Sequence, residues 1–204
     1  MDGYIQISLS EMLEQLGEDR VKDILSSFSC PINKDIEHFL KHSAITMAQQ
    51  NIAPTHLVFS QYKGKIVLIG YFTITLKTMH IKKKGTISSN LRKRISKFGT
   101  FNEVLDRFEI PAPLIAQLGK NYTDNYNTLI TGDELLKMAC EKISMVQSII
   151  GGKIVYIECE NKPKLVDFYD SNGFVNFGKR QLDKDELGTL DGRYLLQMLK
   201  YINI

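Results

Sequence analysis

Residues 110–150 read IPAPLIAQLGKNYTDNYNTLITGDELLKMACEKISMVQSII and set polar chemistry between two regular elements. Leu114 to Leu118, bracketed by prolines, has the length and composition of a buried strand. The stretch 120–128 is polar and unsuited to a helix. Beyond it Leu135, Leu136, Ala139, Ile143, Val146 and Ile150 recur at three- and four-residue spacing, which puts them on one helical face. Thr131 and Glu134 have the spacing of a capping box, so the helix is predicted to start at Gly132. A strand, a loop and a helix opening on glycine aim backbone N–H groups and the positive dipole end at one spot. Such a spot is suited to an anion, usually phosphate. A capped helix after a strand is also ordinary architecture, and both readings stand at this level.

Other groups of ligand-type residues are weaker. His38 and His42 lie four apart on a predicted helix, but no carboxylate motif accompanies them, and a solvated helix face is the better reading; no metal site is expected. Cys30, Cys140 and Cys159 are odd in number, far apart and in apolar contexts, as reduced core cysteines of a cytoplasmic protein are. Asp183, Asp185 and Gly188 echo a calcium loop, yet Leu187 stands at a ligand position and discounts it.

The chain of 204 residues is long enough for a sizeable core, and its 43% hydrophobic and 24% charged residues describe a soluble globular protein. No apolar run approaches the roughly 20 residues that cross a bilayer, and MDGYIQISLSEMLEQ lacks the layout of a secretion signal. The net charge of +3 hides an asymmetry. From residue 38 to 102 there are eleven Lys or Arg and no Asp or Glu; seven of the eleven fall in 82–97, KKKGTISSNLRKRISK. A basic segment on an otherwise acidic body can attract tRNA or another polyanion, and it can equally be a solvated insertion.

In chain order, residues 10–27 read as one amphipathic helix or two, interrupted at Gly17. Phe28-Ser29-Cys30-Pro31 breaks this region, and Asn33 or Asp35 then caps a helix whose apolar stripe is Ile36, Phe39, Leu40, Ala44 and Met47. Two β-rich runs, 56–62 and 66–77, are separated by Lys63-Gly64-Lys65 as a hairpin would be, with Gly70 as a candidate bulge. The basic insertion, 78–109, is expected to end in a short helix over 101–108. After the central stretch come the strand KIVYIECE, a helix opening at Asn161–Pro163 and ended by Gly173, and closing strands over 174–180 and 193–201. Strand–helix–strand at this spacing predicts a parallel pair near the middle of the chain.

Four segments carry a specific resemblance: FSCPINKDIEHFLKHSA, VLIGYFTITLK, IPAPLIAQLGKN with ITGDELL, and FYDSNGF at 168–174. Together they resemble the GNAT family of acetyl-CoA-dependent N-acetyltransferases, in the branch that includes toxin-like and uncharacterised bacterial and phage members. The resemblance implies an α/β fold with a mixed, mostly antiparallel central sheet flanked by helices and a splayed parallel pair in the middle. It covers the chain as a single domain, 1–204, with a helical N-terminal region, 1–27.

The same resemblance implies roles for individual residues. The strand end at Gln117, Leu118, Gly119 and Lys120 would pair with the pantetheine arm of acetyl-CoA. Asn127, Thr128, Leu129, Ile130, Thr131, Gly132 and Asp133 would cradle its pyrophosphate, which is the anion site read above from the residues alone. Asn161 opens the helix flanking the cofactor's other side, and Tyr169 matches the tyrosine that protonates the departing thiolate. The loop departs from the family pattern: of its glycines only Gly132 remains, and Asp133 and Glu134 would compete with a phosphate if their carboxylates turned toward the loop. No evident general base accompanies Tyr169; Glu158 and Glu160 are candidates acting through water. An amine acceptor of low basicity fits that lack best, an α-amine on a peptide or on aminoacyl-tRNA. The alternatives are toxin-like acetylation of aminoacyl-tRNA held by residues 82–97, and a non-catalytic GNAT-like module binding nucleic acid or protein. The oligomeric state stays open.

Overall fold

The computed structural model describes residues 3–184, 186, 187, 190 and 192–202. Asp185 and Gly188 of the calcium-like pattern lie outside the described residues. The chain divides into two compact units, residues 1–75 with 116–139 and residues 76–115 with 140–204.

The first unit opens with β1 (Tyr4–Ser8), α1 (Leu9–Leu16) and α2 (Glu18–Ser26). The region 1–27, expected to be helical, thus begins with a strand that pairs with another part of the chain and continues as two helices divided at Gly17, whose φ of 77° is left-handed territory that glycine enters without strain. Next come α3 (Lys34–His38) and α4 (Ala44–Gln49), joined by a single π-turn over Phe39–Ser43. Asn33 is the cap: its side chain accepts from the amides of Asp35 at 3.0 Å and Ile36 at 3.4 Å. The strands β2 (Thr55–Tyr62) and β3 (Lys65–Lys82) form the predicted hairpin, and Lys63 and Gly64 both have positive φ, as a two-residue primed turn requires. The bulge expected at Gly70 sits beside it, where the register slips between Val58↔Gly70 and Phe59↔Leu68. Leu9, Val21, Leu25, Phe28, Leu40, Leu57 and Tyr71 form the core of this unit.

In the second unit β3 runs on to Lys82, so the strand extends past its expected end at 77 and takes in residues 78–82. A short helix, α5 (Ser89–Ile95), follows. The helix expected over 101–108 is instead a hairpin of β4 (Thr100–Asn102) with the start of β5 (Arg107–Lys120). Phe101 and Phe108 face each other across it with ring centroids 4.9 Å apart, and Asp106 takes a φ of 46° in the turn. Pairing across the hairpin has overridden a local helical period. The strand β5 is also longer than expected and carries both Pro111 and Pro113 within it.

The helix α6 (Gly132–Ile150) begins where the capping box predicted. Its stripe is buried at Leu135, Leu136, Ala139 and Ile143, but Val146 and Ile150 are exposed and Gln147 is buried in their stead. The strand β6 (Ile154–Cys159), the helix α7 (Pro163–Ser171), and β7 (Val175–Gln181) with β8 (Tyr194–Tyr201) complete the chain. Gly173, at φ 80°, ends α7 and donates to the Asp170 carbonyl at 2.8 Å.

Sheet order is β1-β2-β3-β5-β6-β8-β7, with β4 on β5. All recorded registers are antiparallel except that of β5 and β6, which run parallel at Leu114↔Tyr156 and Ile115↔Ile157. The expected mixed, mostly antiparallel sheet with a parallel pair in its middle is therefore present. Met79, Ile81, Ile95, Ile110, Leu114, Ile154, Tyr156 and Leu199 fill the core of the second unit.

Candidate active site

The first unit assembles the strand–loop–helix in full. At the end of β5, Gly119 is buried, and a Cβ there would collide with the Ile36 side chain and meet Tyr71 and Phe28 at 3.4 and 3.5 Å. The glycine lets α3 close onto the strand. Gln117 donates from Nε2 to the Asp35 carboxylate at 3.0 Å, while its buried Oε1 has no hydrogen-bond partner among the described residues. Leu118 is half-buried beside it.

Lys120 then turns into the loop and donates to the carbonyls of Asn127 at 2.9 Å and Ile130 at 3.2 Å. A cation holding two carbonyls inward shapes the loop from within. The loop itself is a 3₁₀ segment over Thr123–Thr128 in which Asp124 and Asn125 have φ of 49° and 64°. These two residue types tolerate the left-handed region best after glycine.

Asn121 was not among the residues singled out in the sequence, yet it organises this corner. It is fully buried and donates from Nδ2 to the Leu68 carbonyl at 2.8 Å. Its Oδ1 accepts the amides of Ser29 at 3.0 Å and Thr123 at 3.1 Å. A polar residue immediately after an apolar strand is the only signal the sequence offers for such a clamp.

At the helix start the capping box is closed. The Glu134 amide donates to Thr131 Oγ1 at 3.1 Å, and Glu134 Oε2 accepts both the amide and the hydroxyl of Thr131 at 2.8 Å. Hydrogen bonds from Thr131, chiefly from its amide, hold the Glu134 carboxyl below its ordinary range. Tyr4 reaches this point from β1, its hydroxyl 3.0 Å from the Leu129 carbonyl and 3.2 Å from Glu134 Oε1. Glu134 has therefore turned toward the loop, the outcome the sequence left open. Ile130 is buried, Gly132 half-buried, and Thr128, Thr131 and Asp133 are exposed.

The second unit holds the remaining candidates. Tyr169 on α7 is 8% exposed, between the rings of Phe168 and Phe174 at 5.0 and 5.6 Å. Burial raises its pKa well above the ordinary tyrosine range, with the nearby Cys159 and Cys140 adding to the effect. Its hydroxyl keeps its proton at neutral pH, as an acid must. Asn161 is exposed and donates to the Tyr194 hydroxyl at 3.1 Å. Both of these residues line a cavity of about 250 Å³ with Glu160, Lys162, Gly192 and Arg193.

The two carboxylates considered as bases are engaged by cations. Glu158 meets Arg180 Nε at 2.7 Å and accepts from Gln197 at 2.8 Å. Glu160, nearly buried, pairs with Lys162 at 2.9 Å. Arg180 also grips Glu186 at 2.7 Å and Asp183 at 3.2 Å, which ties β7 to the chain that follows it. His38 and His42 have ring centroids 4.6 Å apart, and no group of three metal-ligating side chains is assembled among the described residues.

The basic segment is held by contacts of its own arginines. Arg92 caps the carbonyls of Gly85 at 3.1 Å and Ile87 at 2.9 Å, and Arg94 lies 3.9 Å from the ring centroid of Tyr201. Lys82, Lys83, Lys84, Lys93, Arg94 and Lys97 are exposed.

No family model and no curated protein matches this sequence. Solved structures do match. A tyrosine-to-phenylalanine mutant of KacT superposes with a TM-score of 0.62 at 14% identity, over 97% of this chain and 95% of its own. The fold is the GNAT fold. AtaT complexed with acetyl-methionyl-tRNAfMet also gives 0.62 at 14% identity, over 95% of this chain and 93% of its own. A mutant AtaT toxin bound to the C-terminus of the antitoxin AtaR and to acetyl-CoA gives 0.59 at 14%, over 98% and 94%. The GNAT fold thus spans nearly the whole chain. Among the described residues no helix is long and apolar enough to cross a membrane.

Proposed function

We propose that this chain is a cytoplasmic N-acetyltransferase that moves the acetyl group of acetyl-CoA to an amine. The observation that carries this reading is the strand, loop and capped helix from Gln117 to Glu134, on a fold whose neighbours include a toxin bound to acetyl-CoA. The backbone of Gln117, Leu118, Gly119 and Lys120 pairs with the pantetheine arm, and residues 127–133 receive the pyrophosphate. The recorded parallel pairing of β5 with β6 ends at Ile115↔Ile157, which supports free backbone beyond it.

Transfer is direct. The amine lone pair attacks the thioester carbonyl, forming the C–N bond, and strand N–H groups polarise the carbonyl oxygen. The C–S bond breaks and the thiolate takes the proton of Tyr169; burial raises the pKa of that hydroxyl, which keeps it protonated at neutral pH but makes it a weaker donor than an exposed tyrosine. The nitrogen loses its extra proton to solvent. Because Glu158 and Glu160 are held in ion pairs, the acceptor must be neutral without much help. An α-amine, with a pKa of about 7.7–8.0, meets that condition far better than lysine at about 10.4. Aminoacyl-tRNA offers such an amine, and the exposed lysines of residues 82–97 offer its phosphates a binding surface. The AtaT complex with acetyl-methionyl-tRNAfMet supports this choice of acceptor.

The test is transfer of radiolabelled acetyl from acetyl-CoA to aminoacyl-tRNA, free amino acids and a lysine peptide. The expected result is labelling of the aminoacyl-tRNA α-amine, lost in Tyr169→Phe while the protein stays folded. Fastest turnover of the lysine peptide would overturn the acceptor, and labelling that survives Tyr169→Phe would overturn the acid. Absence of any labelling together with absence of acetyl-CoA binding would leave a non-catalytic module.

A further inference from the structure

Four amides around the α6 start donate within the chain itself. That of Leu129 donates to the Tyr126 carbonyl at 3.0 Å, that of Glu134 to Thr131 Oγ1 at 3.1 Å, and that of Leu135 to the Thr131 carbonyl at 3.2 Å. The Thr131 amide, which stands just ahead of the helix, goes to the Glu134 carboxylate at 2.8 Å. A carboxylate at this position is an anion on the spot where the dipole and the loop would hold a phosphate. It is not held by the helix alone. Tyr4 comes from β1, more than a hundred residues earlier, and its hydroxyl bridges Glu134 Oε1 and the Leu129 carbonyl.

We infer that Glu134, latched by Tyr4, occupies the diphosphate position of the loop and closes it against acetyl-CoA until the latch opens. This rests on the cofactor reading of residues 127–133 given above. Binding then has two parts: Glu134 swings off the Thr131 amide, and the diphosphate takes that amide. Lys120 stays in place throughout, since its contacts with the Asn127 and Ile130 carbonyls shape the loop whether or not the latch is closed. The latch is a device of this chain's own residues, Tyr4, Thr131 and Glu134. It lowers affinity without removing the site.

The experiment is calorimetric titration of the full chain with acetyl-CoA, and separately with inorganic pyrophosphate, in wild type, Tyr4→Phe, Glu134→Gln and the double variant. Glu134→Gln keeps an acceptor for the Thr131 amide, so the cap survives while the charge goes. Thermal unfolding of each variant confirms that it is folded. Removing one negative charge beside a bound diphosphate near the surface should tighten binding by about fivefold to tenfold. Tyr4→Phe should tighten it less, and should tighten it no further in the Glu134→Gln background, where the charge is already gone and only the Tyr4 contact with the Leu129 carbonyl is left to lose. Wild type that binds as tightly as Glu134→Gln would overturn the latch and leave the cofactor reading intact. Tyr4→Phe that tightens binding equally with and without Glu134→Gln would also overturn it. If no variant binds at millimolar ligand, the cofactor reading itself fails and the latch falls with it.

Discussion

Replacing Asn121 with Ala should be among the most damaging single changes in the first unit. The side chain is fully buried, and truncation orphans three partners at once: the Leu68 carbonyl and the amides of Ser29 and Thr123. Each buried group left without a hydrogen bond costs about 1–3 kcal/mol. The Ser29 and Thr123 amides lie closer to solvent than the Leu68 carbonyl, so water can rescue them in part. Counting the carbonyl in full and the amides at the low end gives a loss of about 4 kcal/mol. For a chain of 204 residues that corresponds to a melting temperature lower by about 8–16 °C. Asn121→Asp separates the two halves of the clamp. It still accepts from both amides but sets a lone pair against the Leu68 carbonyl, and it buries a charge if ionised, so it should be no better than Ala. Urea unfolding gives the loss, and hydrogen exchange at residues 121–131 shows whether loosening is local. A loss below about 1 kcal/mol for Asn121→Ala would refute the clamp, since even one orphaned buried group exceeds that value.

Other outcomes follow from single contacts. Lys120→Met removes two charge-assisted hydrogen bonds to loop carbonyls, and amide exchange at Leu129 and Thr131 should speed by about tenfold or more, with Lys120→Arg intermediate. Binding of tRNA by the basic segment should weaken linearly in log–log salt titrations. Replacing Lys93 and Lys97 together should lower the slope by about 1–2 while leaving acetyl-CoA affinity unchanged. Arg180, the principal cause, holds the Glu186 carboxyl below its ordinary range, so the folded pKa lies below the unfolded one. The stabilisation is then present above the ordinary carboxylate range and lost as pH falls through the folded value. Acid unfolding of Glu186→Gln should accordingly show a shallower fall below about pH 4.5 than wild type does.

Much of this architecture is legible in the sequence where local chemistry decides it. Gly17 splits two helices, Lys63-Gly64 makes a turn, and Thr131 with Glu134 starts α6, because each depends on one or two residues and their immediate neighbours. The failures share a different cause. Phe101, Val104, Leu105 and Phe108 have helical spacing, but Val104 is 93% exposed in a turn while the two phenylalanines meet across strands. The decisive contact is pairing of one strand with another, which periodicity within a window does not register. Val146 and Ile150 continue the stripe of α6 in sequence, yet both stay exposed toward the helix end. Within the candidate site the loop boundaries were readable. The direction of the Glu134 carboxylate was not, since it depends on Tyr4.

Gly119 and Gly70 face each other across neighbouring strands, and a Cβ on Gly70 would stand 2.9 Å from the Gly119 carbonyl oxygen. A Cβ on Gly119 would strike Ile36. The obstacles at the two positions are backbone on one side and core side chain on the other, neither of which yields easily. As descendants of this sequence diverge, the loop over residues 127–133 can change its polar residues and keep its shape through Lys120. The two glycines have no such latitude. They should outlast the phosphate loop as the mark by which a remote cousin is recognised, even where every chemically active side chain has been exchanged.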